Sequence, residues 1–175
     1  IWTGGYFITV GSSGFCLRST DGITWSIVGT TAAGTNARGI AQNGPTLVVI
    51  GSTTSLSYST DAGTTWAVGA TVPGTGRQSI TYWNGYWYVA DGIIYRIADP
   101  TTGAVTQVFD NSNNVYSFAV FGGRLIGVGI AGNFAYTLDG TTWTETTVGA
   151  IALNSIAVSS SYAVIVGDDD GADAQ

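Results

Sequence analysis

A motif of six to eight residues occurs four times at an almost constant interval, and this regularity limits the possible folds more than any other feature of the chain. It reads Ser19-Thr20-Asp21-Gly22-Ile23-Thr24-Trp25, Ser59-Thr60-Asp61-Ala62-Gly63-Thr64-Thr65-Trp66, a degenerate Ala98-Asp99-Pro100-Thr101-Thr102-Gly103, and Thr137-Leu138-Asp139-Gly140-Thr141-Thr142-Trp143, with aspartates 40, 38 and 40 residues apart. A second signal keeps the same period. Ile40-Ala41-Gln42-Asn43-Gly44, Ile80-Thr81-Tyr82-Trp83-Asn84-Gly85, Phe118-Ala119-Val120-Phe121-Gly122-Gly123 and Ile156-Ala157-Val158-Ser159-Ser160 each precede an apolar run: Leu47–Ile50, Tyr86–Ala90, Leu125–Val128 and Ala163–Val166. Repetition at 20–50 residues marks stacked supersecondary units, each unable to bury its apolar face alone.

One period holds four strands: a strand, a tight Gly turn, a strongly apolar strand, a turn, a third strand, the Asp-Gly turn, and a fourth strand before a loop. Asn84-Gly85 between two apolar runs predicts a two-residue hairpin, because a type I′ turn needs positive φ at both central residues. The nearly continuous apolar second strand predicts burial on both faces, as in a sheet stacked between two others. The chain is therefore expected to be all-β, a β-propeller of four-stranded antiparallel blades with about four and a half blades present. One domain over 1–175 is expected, with repeats at about 1–35, 36–74, 75–112, 113–151 and a partial 152–175. The chain starts at Ile1 and contains no Met, so it is expected to be a processed product or part of a larger ring.

Composition agrees. Twenty-six Gly, six Trp and nine Tyr with a single Glu leave few helix formers and many turn and strand formers. The only basic side chains are Arg18, Arg38, Arg77, Arg96 and Arg124, against eleven acids, for a net charge of −6. A nucleic-acid partner is not expected without a basic face. No apolar run reaches the roughly 20 residues of a membrane helix, so no membrane span is expected. Cys16, the one cysteine, is read as a small core hydrophobe.

The Ser-Thr-Asp-(Ala)-Gly-x-Thr-Trp pattern resembles the Asp-box, or BNR repeat, of the sialidase-like propeller superfamily, which includes sialidases, xyloglucanases, sortilin-type receptors and photosystem assembly factors. The third unit departs, with Pro100 after its Asp and Val105 where Trp is expected. The aspartate of such a turn accepts backbone N–H bonds, while Trp folds beneath the hairpin. Asp21, Asp61, Asp99 and Asp139 with Trp25, Trp66 and Trp143 are accordingly structural, since a catalytic site needs one constellation and these recur in every unit. Sialidase chemistry, as the resemblance implies it, uses three Arg, an acid/base Asp and a Tyr–Glu pair. Only Glu145 is present, on an outer strand, and the Arg-Ile-Pro segment is missing. No His is available for a triad or a zinc site. No catalytic residue is assigned.

Propeller topology gathers the crossovers between blades and the second-to-third strand turns on one face near the axis. That face is expected to carry Asn36, Arg38, Arg77, Asn113, Asn114, Asn154 and Asp91, the two arginines gripping a carboxylate or sugar hydroxyls. Asp168, Asp170 and Asp173 partly match a calcium loop but lack its bidentate Glu; a solvated acidic turn is the preferred reading, and no cofactor is expected. Trp83 is read as a core residue first, with stacking on a sugar as the alternative. The expected function is a non-catalytic binding or structural module of a virion, as in a phage tail or capsid accessory protein, or of a bacterial surface protein. Its partners would be other protein subunits or a glycan (carbohydrate binding), outside the cell or on a virion surface. A glycoside hydrolase with catalytic residues in further blades, and an assembly factor binding a protein partner, are the alternatives.

Overall fold

The computed structural model describes residues 1–31, 36–74, 76–110 and 114–169. The first sheet holds β1 (Phe7–Val10), β2 (Phe15–Ser19) and β3 (Ser26–Thr30), and Ile1 and Trp2 pair back onto Ile8 and Phe7. Three four-stranded sheets follow: β4 (Ala37–Asn43), β5 (Thr46–Gly51), β6 (Ser55–Ser59) and β7 (Ala67–Thr71); β8 (Ser79–Trp83), β9 (Tyr86–Asp91), β10 (Ile93–Ile97) and β11 (Val105–Asp110); β12 (Val115–Phe121), β13 (Arg124–Gly129), β14 (Asn133–Thr137) and β15 (Trp143–Thr147). A hairpin of β16 (Leu153–Val158) and β17 (Ala163–Gly167) ends the series. Every sheet is an antiparallel meander in chain order.

The first strands β4, β8, β12 and β16 pack against one another in succession, so they line the axis and the sheets radiate from it. The second strands form the core. β5, β9 and β13 are buried almost throughout, their alternating side chains entering the sheet before and the sheet after. Val48 and Ile50 meet Ile80, Trp87 and Val89; Tyr88 and Ala90 meet Val115 and Leu125; Ile126 and Val128 meet Leu153 and Ile156. Cys16 is buried beside Ile8 and Leu47 as a core hydrophobe, and burial raises its thiol pKa.

The hairpin turns follow from their residues. Asn84 (φ 48°) and Gly85 (φ 85°) close the Trp83–Tyr86 pair as the type I′ turn the dipeptide predicts. The degenerate third unit is put to a different use: Pro100 is buried, and its carbonyl accepts the Ala70 N–H from the outer edge of β7 at 2.8 Å. Val105, standing where the other units have Trp, packs against the core between the second and third sheets.

Candidate functional site

The crossover face is built from the start of each axial strand, where the same irregularity recurs. Ala37 lies opposite Gly51 and Gly39 opposite Ile50, which leaves Arg38 as an extra residue. Val115 opposite Gly129 and Ser117 opposite Val128 leave Tyr116; Leu153 opposite Gly167 and Ser155 opposite Val166 leave Asn154. In β8, Ser79 lies opposite Ala90 while the Gln78 N–H also reaches the Ala90 carbonyl at 3.0 Å, which puts Gln78 in the same position. The first three are β-bulges, a device that re-aims one side chain without ending the strand, and Gln78 takes the matching place just before β8. Four neighbouring axial strands thus carry Arg38, Gln78, Tyr116 and Asn154 at one level beside the axis. Arg38 and Asn154 are exposed, Gln78 and Tyr116 half-buried.

The five arginines are spent very unequally. Arg18 lies 5.1 Å above the Tyr6 ring, Arg96 4.3 Å above Tyr86 and Arg124 5.7 Å above Tyr136. Arg77 is 0% exposed. Arg38, by contrast, has no hydrogen bond, ion pair or ring contact among the described residues.

The expected pairing of Arg38 with Arg77 as two exposed cations does not hold. Arg77 stands one residue before the bulge, level with the buried Ala37, Val115 and Leu153, and a one-residue step along a strand reverses the side chain. Its guanidinium donates to the carbonyls of Gly51, Thr53, Val72 and Gly74, pinning the crossover to the β5–β6 turn. Asp91 serves the same loop, accepting the Gly76 N–H at 3.0 Å. Asn36 is exposed, and its backbone pairs with Ser52 and bridges Ser12. Asn114 is exposed, its carbonyl accepting the Ile130 N–H at 3.0 Å. Asn154 donates to Asp168 at 2.5 Å. Asn113, Asp170 and Asp173 lie outside the described residues, and among those described no group of three or more His, Cys, Asp or Glu is placed to hold a metal. Reading the units separately missed Gln78 and Tyr116. Their signal was the spacing: Arg38, Gln78, Tyr116 and Asn154 stand 40, 38 and 38 residues apart, close to the period of the aspartates.

The Asp turns lie on the opposite face and are built as hairpin locks. In the second sheet the Asp61 carboxylate accepts the Thr65 N–H at 2.9 Å, the Thr65 hydroxyl at 2.7 Å and the Ser59 hydroxyl at 2.8 Å. These bonds pull its pKa down to about 2; the Thr24 and Ile23 N–H groups do the same for Asp21. The buried member is the residue two before the aspartate. Ser19, Ser59 and Thr137 hydroxyls accept the N–H of Gly22, Gly63 and Gly140 at 2.8, 2.9 and 2.8 Å. The Trp66 indole donates to Gly63 at 3.0 Å and packs on the first sheet, and Trp143 stacks on Phe109 at 5.6 Å. Trp25 was expected in the core. It keeps the indole bond to Gly22 at 3.3 Å but is exposed, having no sheet on its outer side. Trp83 is half-buried, 6.0 Å from the Tyr88 ring. Two open hollows of about 270 and 230 Å³ flank the fourth and first of these turns. They are repeat-equivalent, lying between β14 and β15 and between β2 and β3, and mark hairpin geometry rather than a single assembled site.

Radial antiparallel sheets around a shared set of axial strands define a β-propeller, here with a polar ring on its crossover face. Among solved structures the chain superposes on YCF48 bound to D1 peptide (TM-score 0.66, 16% identity, 87% of this chain and 53% of that one) and on YCF48 from Cyanidioschyzon merolae (0.72, 13%, 94% and 64%). It superposes equally on the computationally designed Ika8 protein (0.73, 9%, 98% and 55%). The chain spans between about half and two thirds of those chains. At such identities the likeness is one of fold. No protein-family model and no curated protein matches the chain.

Proposed function

We propose that the chain is a non-catalytic binding module, a propeller of Asp-box type, which holds a protein partner on its crossover face through Arg38, Gln78, Tyr116 and Asn154. The observation that carries this reading is Arg38. It is exposed and unengaged at a bulge, while three arginines lie over tyrosine rings and the fourth is buried on carbonyls. A free guanidinium offers a planar fork to a carboxylate. The amides of Gln78 and Asn154 and the Tyr116 phenol each both donate and accept, which suits the alternating N–H and C=O of a peptide. The YCF48 structure with a D1 peptide supports a peptide as the occupant of such a fold. A virion or bacterial surface, suggested by the low charge and absence of Lys, is the proposed setting.

The test is a displayed random-peptide library panned on the protein, with binders measured by titration calorimetry. Arg38→Ala is expected to weaken a selected binder about tenfold or more, the worth of one charge-assisted bond, and to move stability by no more than about 0.5 kcal/mol. Binders insensitive to all four ring substitutions, or binding only of oligosaccharides on a glycan panel, would overturn the reading.

A further inference from the structure

The four residues of the crossover row differ in what their neighbours leave them to offer. Arg38 stands at one end, on β4, exposed and unengaged; a guanidinium is a fork of N–H donors with no acceptor. At the other end, on β16, the Asn154 amide donates to the Asp168 carboxylate. That bond leaves the Asn154 carbonyl oxygen and the second Asp168 oxygen as acceptors. Asp168 is exposed, and its charge belongs to this unit alone. Three of the second-to-third strand turns open with one backbone bond, an N–H given to the carbonyl two residues before the row position: Ser52 to Asn36, Ile130 to Asn114 and Asp168 to Ala152. Asp168 therefore takes the place held by uncharged Ser52 and Ile130, and by Gly92 in the third sheet, where Val89 opposite Ile80 sets the register.

The other acids described on this face are placed differently. Asp91 is half-buried, takes the Gly76 N–H and lies close enough to Arg77 for their charges to interact. Asp110 ends β11, the outermost strand of the third sheet and the one farthest from the axis. Asp169 follows Asp168 and adds to the negative charge there. The row runs from a donor end at Arg38, through Gln78 and Tyr116, to an acceptor end at Asn154 and Asp168. Opposite charges stand at its two ends, three sheet joints apart along β4, β8, β12 and β16.

We infer that the occupant of this row is an extended peptide segment carrying both charges, a carboxylate held by Arg38 and a Lys or Arg side chain held by Asp168 and the Asn154 carbonyl. This occupant rests on the reading of the crossover face as a peptide site and narrows it from peptides in general to amphoteric ones. Stacked sheets lie about 10 Å apart and an extended chain advances about 3.3 Å per residue. Three joints are therefore spanned by at most about nine residues. Gln78 and Tyr116 serve the backbone between the two charges and leave its side chains free to vary. A wholly acidic segment meets like charge at Asp168, on a chain whose net charge is already −6, and like charges facing each other reject a partner. A wholly basic one meets Arg38 in the same way.

The probe is a displayed library of random peptides of about twelve residues, enough to span the row, panned on the full chain. Peptides that lose binding on Arg38→Ala are expected to carry Asp or Glu together with Lys or Arg no more than about nine residues away. One of them then enters two double-mutant cycles, read by calorimetry at low salt. Changing its acid to the matching amide is expected to weaken binding to the unaltered chain about fivefold or more, and binding to Arg38→Gln hardly at all. Changing its base to Gln is expected to cost the unaltered chain and Arg38→Gln equally, and Asp168→Asn hardly at all. Asn at 168 keeps an acceptor for Asn154, so the turn is preserved. Peptides that depend on the row but lack a basic residue, or whose base is indifferent to Asp168→Asn, would overturn the inference and leave the broader peptide reading in place. Peptides indifferent to all four row substitutions would overturn both.

Discussion

Arg77 and Arg38 show how a single step along a strand separates a buried guanidinium from an exposed one. Arg77 satisfies four loop carbonyls in a buried position, so Arg77→Ala strands acceptors away from water; a loss of about 3 kcal/mol or more is expected. Arg77→Lys is expected to recover little, because an ammonium cannot span four acceptors as a guanidinium does. Urea unfolding of both variants beside Arg38→Ala checks this, and equal midpoints for all three would refute it. In the Asp turns the buried hydroxyl outweighs the exposed carboxylate. Ser59→Ala leaves the buried Gly63 N–H without its acceptor and is expected to cost about 1–2 kcal/mol. The aspartates act through pH. Their folded pKa values lie below the unfolded 3.8, at about 2 for Asp21 and Asp61. Their contribution is complete above about pH 4 and is lost as pH falls towards 2. Denaturant midpoints should drop across that window, and Asp21→Asn with Asp61→Asn and Asp139→Asn should flatten the drop.

Strands and turns reuse one plan with local exchanges. In the third sheet Arg96 stands on the third strand over Tyr86 at the start of the second, and in the first sheet Arg18 on β2 lies in the same way over Tyr6, just before β1. In the fourth sheet the partners have changed places, Arg124 on the second strand over Tyr136 on the third. The contact is kept although neither residue type keeps its column. The outer edge of β7 shows another exchange. Pro100, which breaks the motif in the third unit, supplies the carbonyl that closes this edge, and exposed strand edges invite unwanted pairing. Gly69 makes that approach possible, since a Cβ there would collide with the Pro100 carbonyl oxygen. Gly69→Ala is therefore expected to detach the turn, with a loss above about 1 kcal/mol. Faster hydrogen exchange at Ala70 would be its signature, and unchanged protection of that amide would contradict it.

For the whole molecule, the main packing between sheets among the described residues joins consecutive sheets, so stability approximates a sum of sheets and joints. Native-state hydrogen exchange should show protection highest in β5, β9 and β13 and lowest in β17, whose side chains are almost all exposed. Uniform protection would argue against such a sum. With Phe7, Phe15 and Trp25 exposed on the first sheet and Val164 and Val166 on the last hairpin, the end faces are apolar and the chain is expected to associate as concentration rises. Sedimentation velocity gives the measure, and one monomeric species at all concentrations would show that the end faces tolerate water.

The all-β class, the unit of four strands, the Asn84-Gly85 hairpin and the two-sided burial of the second strands were all legible in the sequence, because each rests on local geometry. A period of two decides a face, a dipeptide decides a turn, and repetition decides stacking. The ring of Arg38, Gln78, Tyr116 and Asn154 was legible only in part. Type and charge picked out Arg38 and Asn154 but joined them to Arg77, because residue type does not show where a strand gains its extra residue. A bulge is set by how two paired strands fit between neighbouring sheets, so tertiary structure decided which arginine is buried among carbonyls and which stands exposed.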